Sequence, residues 1–102
     1  MNMQQMVQAM QKMQRQYEKE HKVLEETEFE NVANGAVKVV LKGNLEMVSV
    51  EILDKDMLNA DDVDMIQDMI MLAYNGCKDK INDAEEKLAA KFQQNAKGGM
   101  MF

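Results

Sequence analysis

The stretch from residue 28 to residue 52 constrains the fold most, because its apolar residues alternate along the chain and do not follow a helical period. In an extended chain Val37, Val39 and Leu41 share one side, and the residues between them share the other. Residues 48–52 repeat this alternation. Such a pattern is typical of strands that bury one face of a sheet.

Two pairs of turn residues divide this stretch into strands. Asn34-Gly35 is the strongest two-residue hairpin signal, because a type I′ turn requires a positive φ at both central residues. Gly43-Asn44 is a second turn pair, placed between two leucines. The sequence therefore predicts three consecutive antiparallel strands, which cover residues 28–33, 36–42 and 45–53.

Both flanks of this meander have the hydrophobic period of a helix. One helix is predicted over residues 3–26 and another over residues 60–94, which gives an α+β fold in the order α-β-β-β-α. We expect residues 1–94 to form a single domain and residues 95–102 to form a disordered tail. Two long helices on a three-stranded sheet leave surface that a second copy of the chain can cover, so we expect a homodimer.

The first predicted helix has two chemically different sides. At 100° per residue its apolar positions fall within an arc of about 80°, interrupted only by Glu20, and its basic positions centre on the opposite side. The apolar side is typical of coiled-coil or core packing, and an adaptable methionine-rich ligand groove is the alternative. The apolar positions are Met3, Met6, Met10, Met13, Tyr17 and Leu24, and the basic ones are Lys12, Arg15, Lys19 and Lys22.

The last predicted helix carries an unbroken apolar stripe that includes Cys77. A free cysteine in such a stripe usually behaves as a small hydrophobic residue. Gly76 disfavours a helix interior by up to about 1 kcal/mol, so it marks either close packing or a bend. Three lysines flank the stripe within a narrow arc, namely Lys80, Lys87 and Lys91.

The net charge of −6 is unevenly distributed. Residues 54–75 hold one lysine and six aspartates, a balance of −5, whereas residues 1–26 are neutral and residues 76–102 carry +1. Nucleic acid is therefore repelled by the protein as a whole and tolerated only at the two ends of the chain.

Nothing in the sequence indicates export or a membrane location. The first ten residues lack the basic run and the continuous apolar segment of a signal peptide, and no apolar run approaches the roughly 20 residues of a membrane span. The single cysteine cannot form an internal disulfide, which fits a reducing compartment. We expect a cytoplasmic protein.

Motifs that carry chemistry are absent from the sequence. His21 has no second histidine or cysteine at metal-ligand spacing, so we expect a solvated surface role for it. The aspartates of residues 54–64 are either helix-start residues or a metal site, but they lack the turn glycine and distal glutamate of a calcium loop. No nucleophile–base pair, phosphate loop or dinucleotide fingerprint appears. We therefore expect no enzyme activity, cofactor, metal or small-molecule substrate.

The order of the elements resembles that of a known family. A helix rich in Met and Gln leads into Gly35-Ala36-Val37-Lys38-Val39, then into Val48-Ser49-Val50-Glu51-Ile52, an acidic loop, and Ala73-Tyr74-Asn75 on the last helix. Over residues 3–92 this pattern is similar to that of the YbaB/EbfC family of bacterial nucleoid-associated proteins. The pair Gly76-Cys77 departs from the acidic and small residues of many relatives, which leaves the expected fold intact.

The resemblance implies a tweezer-like homodimer whose projecting helices bind double-stranded DNA and help to organise the nucleoid or regulate genes. The DNA-binding residues are predicted from charge, since Lys and Arg contacts to phosphate dominate affinity for DNA. No element suited to reading base edges is apparent, so we expect little sequence specificity. The candidates are Gln8, Lys12, Arg15, Lys19, Lys22, Lys80, Lys87 and Lys91.

A protein-interaction module is the alternative function. Two projecting amphipathic helices also resemble the plan of prefoldin-type chaperones, in which methionine-rich surfaces adapt to different clients. The acidic net charge favours this alternative, and the family resemblance favours DNA.

Overall fold

The protein is an elongated α-β-β-β-α chain, described here from a computed structural model that covers residues 2–100, with side chains through residue 93. The predicted fold class is confirmed. The helices and strands are α1 (Met3–Glu26), β1 (Glu28–Ala33), β2 (Val37–Lys42), β3 (Met47–Ile52) and α2 (Val63–Met100), with short 3-10 helices at Lys55–Met57 and Ala60–Asp62 between β3 and α2.

The three strands form one antiparallel sheet in the order β1-β2-β3. The first turn confirms the hairpin prediction, because Asn34 and Gly35 both have a positive φ, of 51° and 67°. The second turn differs from the prediction. There the positive φ of 73° belongs to Leu45, and Gly43 is required because a Cβ atom would collide with the backbone carbonyl of Leu24.

The core lies between β2 and the middle of α2. The alternation predicted for β2 is confirmed, since the residues on one side of this strand are at most 1% exposed. α2 packs on β1 and β2 but leaves β3 uncovered, so Val50 is 41% exposed although it pairs with the buried Val39. The core cluster consists of Ala33, Ala36, Val37, Val39, Leu41, Ala73, Cys77 and Ile81.

Both boundaries of the last helix differ from the prediction. Residues 60–62 form a 3-10 helix before α2, and the side chain of Asn59 caps it by accepting from the amides of Asp61 and Asp62. The aspartates of this segment therefore have the helix-start role. At the other end the helix assignment continues to Met100, past the predicted end at residue 94. Residues 101–102 lie outside the described residues, and a disordered tail stays a prediction.

Gly76 marks close packing of α2 on the sheet. A Cβ atom at this position would collide with the side-chain amide of Asn31 on β1. The same amide donates to the carbonyl of Ala73 at 3.3 Å. Cys77, one residue further, is fully buried and its Sγ lies 3.0 Å from the carbonyl of Phe29. These contacts fix α2 along the β1 side of the sheet.

Candidate nucleic-acid interface

α1 begins with a complete capping box and has no fully buried residue. The side chain of Asn2 accepts from the amide of Gln5 at 2.8 Å, and that of Gln5 accepts from the amide of Asn2 at 3.4 Å. The apolar side divides into two parts. Met3 and Met10 are 81% and 67% exposed, whereas Tyr17 and the other apolar residues nearer the sheet are half-buried.

Contacts with α2 orient the second half of α1. The ring of Tyr17 meets that of Phe92 edge to face, with centroids 5.4 Å apart. Glu20 accepts from Nζ of Lys91 at 2.8 Å. This ion pair explains the single break in the apolar side of α1, because Glu20 faces α2 and finds a lysine there. These contacts turn the opposite side of α1 away from the protein.

That opposite side carries what we call the basic surface, formed by Lys12, Arg15, Lys19 and Lys22. All four side chains are exposed, and none forms an ion pair with another side chain in the part of the chain that the structure describes. At 1.5 Å per residue they extend over about 15 Å of helix. Gln8 is exposed on the same side, one turn earlier.

The predicted lysines of α2 have different surroundings. All three are exposed, but each is engaged within the chain. Nζ of Lys80 donates to the carbonyl of Glu30 at 2.7 Å, Lys87 pairs with Asp83 at 3.0 Å, and Lys91 pairs with Glu20. The structure therefore does not join these lysines to the basic surface in one patch of free charge.

The sequence analysis omitted Lys78, which lies on the other flank of α2. This lysine is exposed and forms no ion pair with the described side chains. Its position relative to the apolar stripe separates it from the three lysines chosen above. No signal in the sequence distinguishes its free ammonium group from the engaged ones, because their partners are on α1 and β1 or one turn away.

His21 does not have the solvated role predicted from the sequence. Its Nδ1 lies 2.9 Å from Oε1 of Glu25, and its Nε2 lies 3.7 Å from Oε1 of Glu85 on α2. The ring stacks on Tyr17 with centroids 5.7 Å apart and is 32% exposed. Long-range contacts of this kind are invisible in the helical period of α1 alone.

Two other searches concern only the residues that the structure describes. No three or more His, Cys, Asp or Glu side chains among them are arranged to hold a metal ion. None of the described helices is both long enough and apolar enough to cross a membrane.

The architecture thus defines a class: an α-β-β-β-α protein with a long exposed helix that is basic on its outer side. Residues 1–100 match the sequence profile described as the YbaB/EbfC DNA-binding family. The chain belongs to this family, as its sequence resemblance predicted.

Curated relatives from distant bacteria have a similar length. A nucleoid-associated protein of Ligilactobacillus salivarius is 35% identical over 99 residues, which cover 96% of this chain and 94% of that one. A nucleoid-associated protein of Malacoplasma penetrans is 33% identical over 102 residues and all of both chains. Among solved structures, an uncharacterized protein from Helicobacter pylori has the same fold, with a TM-score of 0.73, 21% identity, and coverage of 91% of this chain and 98% of that one.

Proposed function

We propose that this protein is a nucleoid-associated protein of the bacterial cytoplasm, which binds double-stranded DNA as a homodimer through phosphate contacts from α1. The family is a DNA-binding family, and relatives similar over nearly the whole chain are nucleoid-associated proteins. The observation that carries the proposal is the basic surface, whose four cations are exposed and unengaged by described side chains.

Unengaged cations favour phosphate binding for an energetic reason. A lysine that already pairs with a carboxylate must break that pair before it binds phosphate, whereas a solvated lysine releases a counterion from the DNA at once. Four charges over about 15 Å suit the backbone of a duplex, which carries one charge per roughly 1.7 Å of axis. The side chains of the basic surface are long and flexible, so contacts with phosphate are favoured over base readout.

The net charge of −6 works against DNA binding but does not exclude it. Charges separated by more than a Debye length, about 10 Å at 0.1 M salt, are largely screened. Six of the acids lie in residues 54–75, beyond β3, and none of these belongs to α1. We therefore expect binding of modest affinity that depends steeply on salt.

The homodimer proposal is supported by the difference between the two edges of the sheet. Lys80 and Cys77 of α2 occupy carbonyls along β1, whereas β3 has no helix against it and exposes apolar side chains. A second copy of the chain that docks on β3 would remove them from water and would carry a second α1. These side chains are Met47, Val48, Val50 and Leu53, each between 41% and 47% exposed.

A band-shift titration of random duplex DNA at several salt concentrations tests the DNA-binding proposal. We expect the logarithm of the affinity to fall with the logarithm of salt, with a slope between roughly −3 and −7. The double variant Lys12→Glu with Arg15→Glu should weaken binding at least about 100-fold at low salt. Lys55→Glu is the control for Lys12→Glu, since Lys55 is exposed outside α1 and changes the net charge equally.

Two results would contradict the DNA-binding proposal. One is the absence of any shift at low salt, which would favour the prefoldin-like interaction module, with the exposed Met3, Met6 and Met10 as client contacts. The other is an equal loss of affinity in Lys55→Glu and Lys12→Glu, which would assign binding to net charge and not to the basic surface.

Sedimentation equilibrium tests the homodimer at micromolar concentration. We expect Val50→Asp to shift the wild-type dimer towards monomer, because it places a charge on the uncovered side of β3. Val32→Asp is the matched control, since Val32 lies on the other edge strand and is 45% exposed, against 41% for Val50. A folded wild-type monomer, or equal dissociation by both variants, would contradict the proposed interface.

A further inference from the structure

We propose that His21 is a pH-dependent tie between α1 and α2, and that its protonation holds the basic surface more firmly against the body. The tie is a property of the free protein. Only its effect on DNA binding rests on the function proposed above.

The geometry of His21 places one carboxylate at each ring nitrogen. Glu25, at 2.9 Å from Nδ1, belongs to α1, and Glu85, at 3.7 Å from Nε2, belongs to α2. The ring is held in this orientation by stacking on Tyr17. His21 is the only histidine in the chain, and it therefore lies where the two helices diverge in charge rather than in shape.

Protonation changes what the imidazole can do at this position. A neutral ring carries one N–H and donates to one carboxylate, while its other nitrogen presents a lone pair to the second. The protonated ring donates from both nitrogens. Histidine changes charge between about pH 5 and pH 8, where glutamates are already ionised. The attraction between the helices is thus present in acid and is lost as the pH rises through the titration of the imidazole.

The other groups around the ring do not provide this tie. His21, Glu25 and Glu85 line a pocket of about 280 Å³. Its remaining lining comes from the turn after β2 and from two residues of α2, and none of these side chains is charged; they are Gly43, Asn44, Leu45, Ile81 and Asn82. Tyr17 faces the ring from α1, and the nearest lysine contact between the helices, Lys91, is taken up by Glu20. The imidazolium is therefore the cation that bridges the two glutamates.

The tie affects how α1 is held because α1 depends on few attachments. It has no fully buried residue, and the ion pair of Glu20 and the aromatic contact of Tyr17 are its principal side-chain contacts with α2. A charge-dependent contact added beside them changes the mobility of the segment that carries Lys19 and Lys22. Firmer positioning of these residues lowers the ordering cost of binding a duplex.

Thermal unfolding of the full chain without DNA tests the tie at pH 5.5 and pH 7.5, at one protein and salt concentration. We expect the wild-type Tm to be higher at pH 5.5 by roughly 2–4 °C more than that of His21→Gln, which removes the titrating group. Glu85→Gln should lose the same increment. Glu86→Gln is the matched control, because Glu86 is an exposed neighbour on α2 and does not line the pocket, so it should keep the increment.

The proposal is overturned if His21→Gln or Glu85→Gln keeps the wild-type pH increment, or if Glu86→Gln loses it. DNA titrations at both pH values then test the consequence. Glu85→Gln keeps the imidazole charge but removes the tie, so a smaller gain in affinity on acidification than in wild type assigns the gain to positioning. An equal gain assigns it to direct attraction of phosphate and overturns that consequence. If wild type does not bind DNA at either pH, the proposed function fails, and the Tm increments still decide whether the tie exists.

Discussion

α1 and α2 are both long amphipathic helices, but they use their charged residues differently. α2 buries Ala73, Cys77 and Ile81 against the sheet, and its lysines at 80, 87 and 91 are engaged with acceptors of the same chain. α1 buries no residue completely, and its four basic side chains are free of described partners. The difference teaches that the position of a charge on a helical wheel does not determine whether that charge is available to a ligand.

The largest effect expected from this difference concerns stability. Ile81→Ala removes a side chain that is 1% exposed in the core, so we expect the free energy of unfolding to fall by about 3 kcal/mol. Met10→Ala removes a side chain of α1 that is 67% exposed, and we expect a loss of less than about 0.5 kcal/mol. Urea denaturation at one protein concentration measures both. Similar losses would show that the far part of α1 is packed in solution.

The junction of α1 with the sheet should respond to a single methyl group. Gly43→Ala places a Cβ against the carbonyl of Leu24, which is backbone and cannot move aside cheaply, so we expect a loss of about 2 kcal/mol. Gly35→Ala is the control, since its Cβ would meet no atom within 4 Å and only the positive φ opposes it, at about 1 kcal/mol. A smaller loss at residue 43 than at residue 35 would contradict the close approach of α1 to this turn.

The ion pair between the helices should contribute less than either glycine contact. Lys91→Met leaves the half-buried Glu20 without its partner, while Oε2 of Glu20 is already buried without one, so we expect a loss of about 1 kcal/mol. Lys87→Met breaks an exposed pair within one helix and should cost less than about 0.5 kcal/mol. Adding Glu20→Met to Lys91→Met should restore part of the loss, as a double-mutant cycle of unfolding energies would measure. Equal effects at residues 87 and 91 would argue against the clasp.

The smallest predicted effect separates the two helices as DNA ligands. Lys19→Gln should weaken binding about 3- to 10-fold and make the salt slope shallower by about 0.9, as expected for one lost phosphate contact per chain-bound site. Lys87→Gln should leave the slope unchanged, because Lys87 is paired with Asp83. Band shifts over a range of salt concentrations give both slopes. A larger change for Lys87 would reverse the ranking of α1 and α2.

Local signals in the sequence predicted much of the fold. The alternation in β2, the positive φ values of Asn34 and Gly35 and the bounds of α1 follow from rules that act within a few residues. The structure agrees at these places because burial and turn geometry act in the same direction. The role of Gly43 was wrong in detail, since the constraint there is the carbonyl of Leu24, nineteen positions away in the chain.

The surroundings of charged residues were less predictable. Nothing near Lys91 in the sequence indicates Glu20, and nothing near His21 indicates Glu85, because these pairs form only when α1 packs on α2. The exposure of the basic surface was predictable, since it follows from its position opposite the apolar side of the same helix. The sequence thus indicated where cations lie and could not indicate which of them are engaged.

Lysine footprinting tests the central claim most directly. The protein is acetylated briefly at low salt, with and without a random duplex, and modification at each lysine is measured by mass spectrometry. We predict that DNA protects Lys12, Lys19 and Lys22 and leaves Lys55 as reactive as before. Equal reactivity of the α1 lysines in the two conditions, while a band shift shows the duplex to be bound, would contradict the assignment of DNA binding to α1.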